Sequence, residues 1–161
     1  MNSADMFRTL FAYDVAMWRK IWETVVTLTP EQYNRELPYS HGSIRHQMTH
    51  VTRVSTAWLM GLTGEPNGQQ YKIEPDEYPD AAALRARWEE GAARTLAYVA
   101  TLTDEQVGET LPEMMGPTWH VLYQLVNHGT DHRAQVLAAL QELGAPTFAQ
   151  DLIFYLWFAP R

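Results

Sequence analysis

The sequence contains no cysteine, which excludes disulfide bonds, thiolate metal ligands and a cysteine nucleophile. Basic residues are also few: 12 Lys and Arg against 19 Asp and Glu give a formal charge of −7, and the basic residues form no cluster. We therefore expect no nucleic-acid partner and no attachment to an anionic membrane through phosphate contacts.

Long hydrophobic runs are missing as well. No apolar stretch approaches the roughly 20 residues that a membrane-spanning helix needs. The first residues, MNSADMFRTLFAYD, carry acids early and lack the charged and then apolar pattern of a secretion signal. These two absences predict a cytoplasmic protein without a membrane partner.

Several catalytic signatures are absent too. The sequence has no Glu-x-x-His pair of a di-iron carboxylate bundle and no His-Glu-x-x-His of a metalloprotease. It also lacks a Gly-x-Ser-x-Gly nucleophile elbow, a phosphate-binding loop and a dinucleotide fingerprint. What remains for chemistry is a set of histidines.

The composition is that of a folded protein, with 46% hydrophobic and 12% aromatic residues in 161 positions. Four stretches with helical periodicity alternate with connections rich in Pro and Gly, and a short apolar tail follows. We predict an all-α protein whose residues 1–161 form a single domain. The predicted fold is a four-helix bundle with a long crossover connection and a short C-terminal fifth helix.

The helix boundaries follow from capping residues and from breakers. Residues 30–42 and 103–116 are predicted connections, and residues 62–79 are the long connection that would let the second and third helices run parallel. The predicted caps and ends are Ser3 to about Thr29-Pro30 for the first helix, Ser43 to about Gly61 for the second, an N-cap at Asp80 for the third, and an N-cap at Thr118 with a stop at Gly144 for the fourth.

The fourth helix carries two histidines one turn apart, His128 and His132, inside an apolar stripe that includes Leu125 and Val136. Imidazoles that point into a core are costly unless their nitrogens find partners. Two interpretations remain open. They form a hydrogen-bonded core pair or a wet groove, or they converge on a metal ion whose third ligand comes from another helix.

The second helix supplies the candidate third ligand. His46 and His50 are also four residues apart, and His50 borders the apolar face beside Val54 and Trp58, so burial favours His50. We expect His46 and His41 on the surface or in a loop. Three neutral imidazoles from His50, His128 and His132 would leave positions free for water, which suits a catalytic centre better than a structural one.

Three further features have two interpretations each. Asp14 interrupts the apolar stripe of the first helix, and either reaches solvent at the helix edge or orients a metal-bound histidine or water. Met114 and Met115 either fill a gap in the core or line a pocket. The tail, residues 151–158, either closes one end of the bundle or forms an apolar patch that faces a partner.

Three segments of the chain resemble the DinB/YfiT-like family of metal-binding bundles: 43–54 (SIRHQMTHVTRV), 119–137 (WHVLYQLVNHGTDHRAQVL) and 143–156 (LGAPTFAQDLIFYL). The most specific part is Asn127-His128-x-x-x-His132-Arg133. The resemblance implies a four-helix bundle with a long crossover, a homodimer, and a divalent metal, usually assigned as zinc or nickel, bound by His50, His128 and His132. Two departures are Ala134, where the family usually has Gly, and Asp14, where it often has Asn.

The resemblance also implies a function. The expectation is a divalent-metal-dependent enzyme that acts on a small electrophilic substrate, as a thiol-dependent S-transferase or isomerase or as a hydrolase. A low-molecular-weight thiol would then be a second cofactor, because the chain has no sulfur nucleophile of its own. Candidate catalytic helpers are Asp14, Tyr13 and Arg53, with Arg133 as an alternative anion-binding residue. The competing expectation is a non-catalytic metal-binding protein with a stress-response or structural role.

Overall fold

The computed structural model describes residues 2–111 and 116–158, and this part of the chain consists of helices and turns without a β-strand. The predicted all-α class is therefore confirmed. The predicted alternatives for Met114 and Met115 lie outside the described residues. The helices are α1 (Ser3–Val25), α2 (Pro30–Asn34), α3 (Ile44–Leu62), α4 (Ala81–Thr101), α5 (Asp104–Gly108), α6 (Thr118–Glu142) and α7 (Leu152–Phe158), with short 3₁₀ turns at Gly68–Gln70 and Pro75–Glu77.

Four long helices form the bundle, in which α1 packs against α4 and α6, and α3 packs against the same two. Side-chain contacts give the directions. Arg8 of α1 contacts Leu102 at the end of α4, and Arg19 contacts Glu89 eleven residues further along, so α1 and α4 are antiparallel.

The other helix directions follow in the same way. Phe7 of α1 contacts Tyr123 of α6 and Asp14 contacts Arg133, so these two helices are parallel. Residues 47 and 50 of α3 face residues 132 and 128 of α6, respectively, so α3 and α6 are antiparallel. It follows that α3 and α4 run parallel, which is what the long connection between them allows.

The core has two apolar clusters at different levels of the bundle, with polar side chains between them. The first cluster includes α6 residues between 136 and 143, and the second includes α6 residues between 121 and 125. His128 and His132 therefore lie between the two clusters, at the level of the polar side chains. The first cluster includes Trp18, Trp22, Met48, Leu84, Trp88 and Leu140, and the second includes Phe7, Phe11, Leu62, Val99 and Leu122. This arrangement fixes the spacing of α3 and α6 on both sides of the site.

Two predicted N-caps differ from the structure by one residue. Asn2 rather than Ser3 caps α1, and its side chain accepts a hydrogen bond from the backbone N–H of Asp5. Pro117 rather than Thr118 precedes α6, because the Thr118 hydroxyl donates to the carbonyl of Glu109 instead of accepting from the first turn. The predicted caps Ser43 and Asp80 are confirmed.

Two predicted connections contain short helices. The prediction that α1 continues to Thr29 was wrong, since α1 ends at Val25 and Thr29 instead caps α2 through a reciprocal capping box with Gln32. A second capping box, formed by Thr103 and Gln106, starts α5. In both cases a Thr-x-x-Gln pattern marks the start of a short helix within a connection rich in proline and glycine.

The short tail forms helix α7, as predicted, but it buries none of its described residues. Trp157 and Phe158 are 66% and 75% exposed. This exposure argues against a tail buried against the end of the bundle and agrees with the alternative of a partner-facing patch. Within the ranges described, no helix has the length and apolarity needed to cross a membrane.

Candidate metal centre

The centre forms where the antiparallel helices α3 and α6 face each other between the two apolar clusters. The Nε2 atoms of His50 and His128 are 3.2 Å apart. The ring of His132 lies one turn further along α6, with its centroid 4.3 Å from that of His128 and 4.8 Å from that of His50. The structure therefore brings together all three histidines that the sequence singled out as ligands.

The distance between the two Nε2 atoms is informative about what the rings can do. Two nitrogens that bind one tetrahedral zinc at about 2.0–2.1 Å stand roughly 3.3 Å from each other. The observed 3.2 Å is close to this value. It is also compatible with a hydrogen bond between the rings, in which one Nε2 carries the proton. The geometry fits a shared cation and does not require one.

The two histidines of α6 differ in the surroundings of their Nδ1 atoms. His132 is buried, and its Nδ1 lies 3.3 Å from Oε1 of Gln47, a fully buried side chain of α3. An Nδ1–H that donates to this amide oxygen fixes the ring and leaves Nε2 as a free electron pair. The Nδ1 of His128, by contrast, is buried without a hydrogen-bond partner in the described part of the chain.

Gln47 was not foreseen from the sequence. Its position three residues before His50 places it on the neighbouring side of α3, and an amide at the edge of an apolar stripe is not by itself a signal for a metal site. Only the packing of α3 against α6 shows that it supports His132.

A fourth imidazole also enters the centre. His41 is exposed and lies in the loop before α3, as predicted, but its ring stacks on His50 with centroids 3.8 Å apart and 24° between the planes. One ligand atom from each of His41, His50 and His132 lies within 4.8 Å of the other two. These three residues could therefore hold a metal ion, in a set that overlaps with the predicted one and exchanges His128 for His41.

The histidines are held in the neutral form that binds metals. Burial lowers the pKa of His50 to about 3, and the neighbouring rings of His41, His132 and His128 add to this effect. Burial together with His132 lowers the pKa of His128 to about 4. The pKa of His132 is lowered by burial and by His41. At neutral pH no proton has to be removed before a cation can bind.

The structure places two of the predicted helpers in a different cluster. Asp14 is half-buried, and among the described residues its partner is not a histidine. It pairs with Arg133, whose side chain is fully buried, and burial raises the pKa of Asp14 to about 6 against the opposing effect of that guanidinium. Tyr13 lies under Arg133, and its hydroxyl donates to the carbonyl of Gln150. These contacts link α1 and α6 to the segment before α7.

Arg53, the third candidate catalytic residue, lies near the histidines. It is half-buried one turn after His50, and its positive charge contributes to the lowered pKa of both His50 and His128. Arg53 also lines a pocket of about 600 Å³ between α3 and the following connection. The other lining residues include Val54, Ala57, Trp58, Gln69, Gln70 and one acidic residue, Glu65.

The helical bundle and the neutral imidazoles between two of its long helices together indicate a helical-bundle protein with a candidate metal site. Comparison with known sequences makes the assignment specific. The sequence model of the DinB family matches residues 1–161, so the chain belongs to the DinB family.

Individual relatives agree with this assignment. The chain is 23% identical to Protein DinB of Bacillus subtilis (strain 168) over 165 residues, which cover 96% of this chain and 95% of that protein. Among solved structures, a DinB-like protein from Bacillus cereus ATCC 10987 superimposes with a TM-score of 0.58 at 18% identity, covering 84% of this chain and 94% of the other. At this identity the structural likeness supports the fold alone.

Proposed function

We propose that this protein is a divalent-metal-dependent enzyme whose ion is held by His50, His128 and His132. The observation that carries the proposal is the approach of two Nε2 atoms to 3.2 Å, from helices that the core clusters hold in place. The contact of His132 with Gln47 adds support, because an acceptor for Nδ1–H keeps Nε2 of His132 free to bind the ion. Zinc or nickel suits an all-imidazole donor set.

The residues around the ligands have distinct tasks in this proposal. A bound divalent ion supplies Lewis-acid polarisation and lowers the pKa of a coordinated water or thiol. Gln47 orients the ring of His132 through Nδ1, and the apolar clusters on either side limit access of water to the ligand nitrogens. Arg53 offers a cation at the edge of the pocket, where it can bind an anionic group of a substrate.

The proposed substrate is a small electrophile that binds in the pocket of about 600 Å³ next to Arg53. This volume is within the range of small-molecule sites. Since the chain has no cysteine, a sulfur nucleophile would come from a low-molecular-weight thiol, and the reaction would be an S-transfer or a thiol-dependent isomerisation. Hydrolysis is the variant in which water takes the place of the thiol.

The test is turnover of a small electrophile by the metal-loaded protein, with and without a small thiol. We expect activity that depends on the metal and is lost in His128→Ala, while circular dichroism shows an unchanged helical fold. In Arg53→Gln we expect KM for an anionic electrophile to rise more than kcat falls. A loaded, folded protein that turns over no such substrate would contradict the enzymatic proposal.

A second candidate function is a non-catalytic metal-binding protein with a stress-response or structural role. Its support is that the hydrogen-bond partners of His50, His128 and His132, among the described residues, are the amides of Gln47 and Gln135 and one another rather than a carboxylate that could act as a general base. Asp14 and Tyr13 are engaged with Arg133 and Gln150. Metal binding without turnover, combined with a large gain in stability on loading, would favour this function.

We also propose the homodimer that the family resemblance implies, with α7 at the interface. The support is the exposure of its large apolar side chains: Ile153, Phe154, Leu156, Trp157 and Phe158. Sedimentation should give the mass of a dimer for the wild type and of a monomer for Trp157→Glu. A monomeric wild type at micromolar concentration would contradict this assembly.

A further inference from the structure

The loop before α3 is shaped to bring His41 to the histidine centre. Ser40 has a φ of 54° and Gly42 has a φ of 75°, so the residues on both sides of His41 adopt left-handed conformations. For a serine this conformation costs about 1–3 kcal/mol and persists only where the surroundings impose it. A side chain added at Gly42 would meet the carboxylate of Glu36.

The same loop is tied to the helix that carries two of the proposed ligands. The Ser40 hydroxyl donates to Oε1 of Gln135, which lies one turn after His132 on α6. This hydrogen bond holds the loop over the centre from the α6 side, while Ser43 joins it to the first turn of α3. The position of His41 is therefore defined from both helices that supply the other imidazoles.

The ring of His41 is close enough to act as a ligand. Its centroid is 3.8 Å from that of His50 and 5.5 Å from that of His132. One of its nitrogens belongs to the set of ligand atoms that lie within 4.8 Å of one another. His41 is also the exposed member of this set, so it covers the side of the centre that faces solvent.

We propose that His41 is a fourth, loop-borne ligand that occupies the outward-facing position of the metal centre. This inference rests on the proposed metal site formed by His50, His128 and His132. It joins the triplet of His41, His50 and His132, whose ligand atoms lie within 4.8 Å of one another, to the proposed triplet, which shares His50 and His132 with it. A thiol or substrate that reaches the ion from solvent must then displace His41, the one ligand that is not carried by a helix.

The first test compares zinc binding by the wild type, His41→Ala and the control His46→Ala, an exposed histidine on the first turn of α3. Loss of an outer-shell partner already weakens metal binding about 10- to 100-fold. We therefore expect His41→Ala to weaken zinc binding at least about 10-fold in competition with a chelator, and His46→Ala to leave it unchanged. Zinc X-ray absorption should show one imidazole fewer in His41→Ala, and added imidazole should restore the wild-type signal.

The outcomes separate this inference from the proposed function. Failure of the wild-type protein to bind zinc would contradict both. Zinc binding with the same affinity and the same number of imidazoles in the wild type and His41→Ala would contradict the role of His41 alone.

A second test addresses displacement. The cobalt-loaded proteins are titrated with 2-mercaptoethanol while the cobalt absorption spectrum is recorded. We expect His41→Ala to bind the thiol at a lower concentration than the wild type, because no imidazole has to leave. Equal thiol affinity in the two proteins would contradict the proposal that His41 is the ligand displaced.

Discussion

Two polar clusters lie next to each other on α6, one around Arg133 and one formed by the histidines. They differ in how many of their polar atoms have hydrogen-bond partners. Around Arg133, each guanidinium nitrogen has a protein partner: Nε donates to Gln150, one terminal nitrogen pairs with Asp14, and the other donates to Thr130. In the histidine cluster, Nδ1 of His128 has no partner within the described chain, and the Nε2 atoms of His50 and His128 face each other. The first cluster is complete without a ligand, whereas the second has electron pairs that a cation would use.

The difference distinguishes a structural role from a candidate functional one. A buried polar group that is fully hydrogen-bonded can be explained by packing alone. A buried imidazole nitrogen without a partner, such as Nδ1 of His128, costs stability and is not explained by packing alone. Asp14, Arg133 and Tyr13 connect helices, whereas we propose metal binding for the histidines. The assignments can be tested separately.

The largest expected effect on stability is in the Arg133 cluster. Arg133→Met should lower the free energy of unfolding by about 3–5 kcal/mol, because the buried carboxylate of Asp14 loses its partner. The matched control is Arg19→Met, which breaks a solvent-exposed pair with Glu89 and should cost at most about 1 kcal/mol. Urea unfolding measures both. Equal losses of unfolding free energy in the two variants would contradict the stronger contribution that we expect from the Arg133–Asp14 pair.

The histidine cluster should instead respond to metal. Free zinc at about 100 times its dissociation constant should stabilise the wild-type protein by about 2.7 kcal/mol, since it binds the folded state only. His132→Ala should abolish this increment, and Arg19→Met should retain it. The readout is the urea midpoint with and without zinc. An increment that survives His132→Ala would place the ion elsewhere.

A smaller effect is expected at Gly129, which follows His128 in sequence but belongs to the other cluster by contact. A Cβ at this position would collide with Asp14 and lie 3.2 Å from Arg133. Gly129→Ala should lower stability by about 1–3 kcal/mol through overpacking and leave zinc affinity unchanged. At Gly91, where a Cβ would meet only Thr56 at 3.4 Å, the same substitution should be neutral or stabilise by up to about 1 kcal/mol. A zinc affinity that falls in Gly129→Ala would show that the clusters are coupled.

Much of the fold could be predicted because it rests on local patterns. Apolar periodicity and the caps Ser43 and Asp80 placed the long helices, and the length of the connection after α3 indicated the parallel arrangement of α3 and α4. Both ends of α1 and the start of α6 differ from the prediction by one to a few residues, whereas Gly144, the predicted stop of α6, follows the C-cap Leu143 with a φ of 74°. There a neighbouring residue, Asn2 or Pro117, took the cap position, and the Thr29 capping box started a new helix.

The site was predictable only in part, for a physical reason. Spacing brought out His128 and His132, because residues one turn apart share a helix face whatever the tertiary structure. His50 was favoured over His46 by its place on the apolar face and by the family resemblance. Gln47 and His41 depend on how α3 packs against α6 and on a loop held by Ser40, which periodicity does not encode. The pairing of Asp14 with Arg133 was not foreseen, because the two residues are 119 positions apart in sequence.

The central claim is that His50, His128 and His132 share one cation, and metal analysis of the purified protein tests it most directly. The account predicts one divalent ion per chain in the wild type and in two controls, His46→Ala and His120→Ala, which replace exposed histidines in the first turns of α3 and α6. It predicts sharply reduced occupancy in His50→Ala, His128→Ala and His132→Ala, all with an intact helical fold. A protein that binds no divalent ion, or that loses it as completely in His46→Ala as in His50→Ala, would contradict the claim.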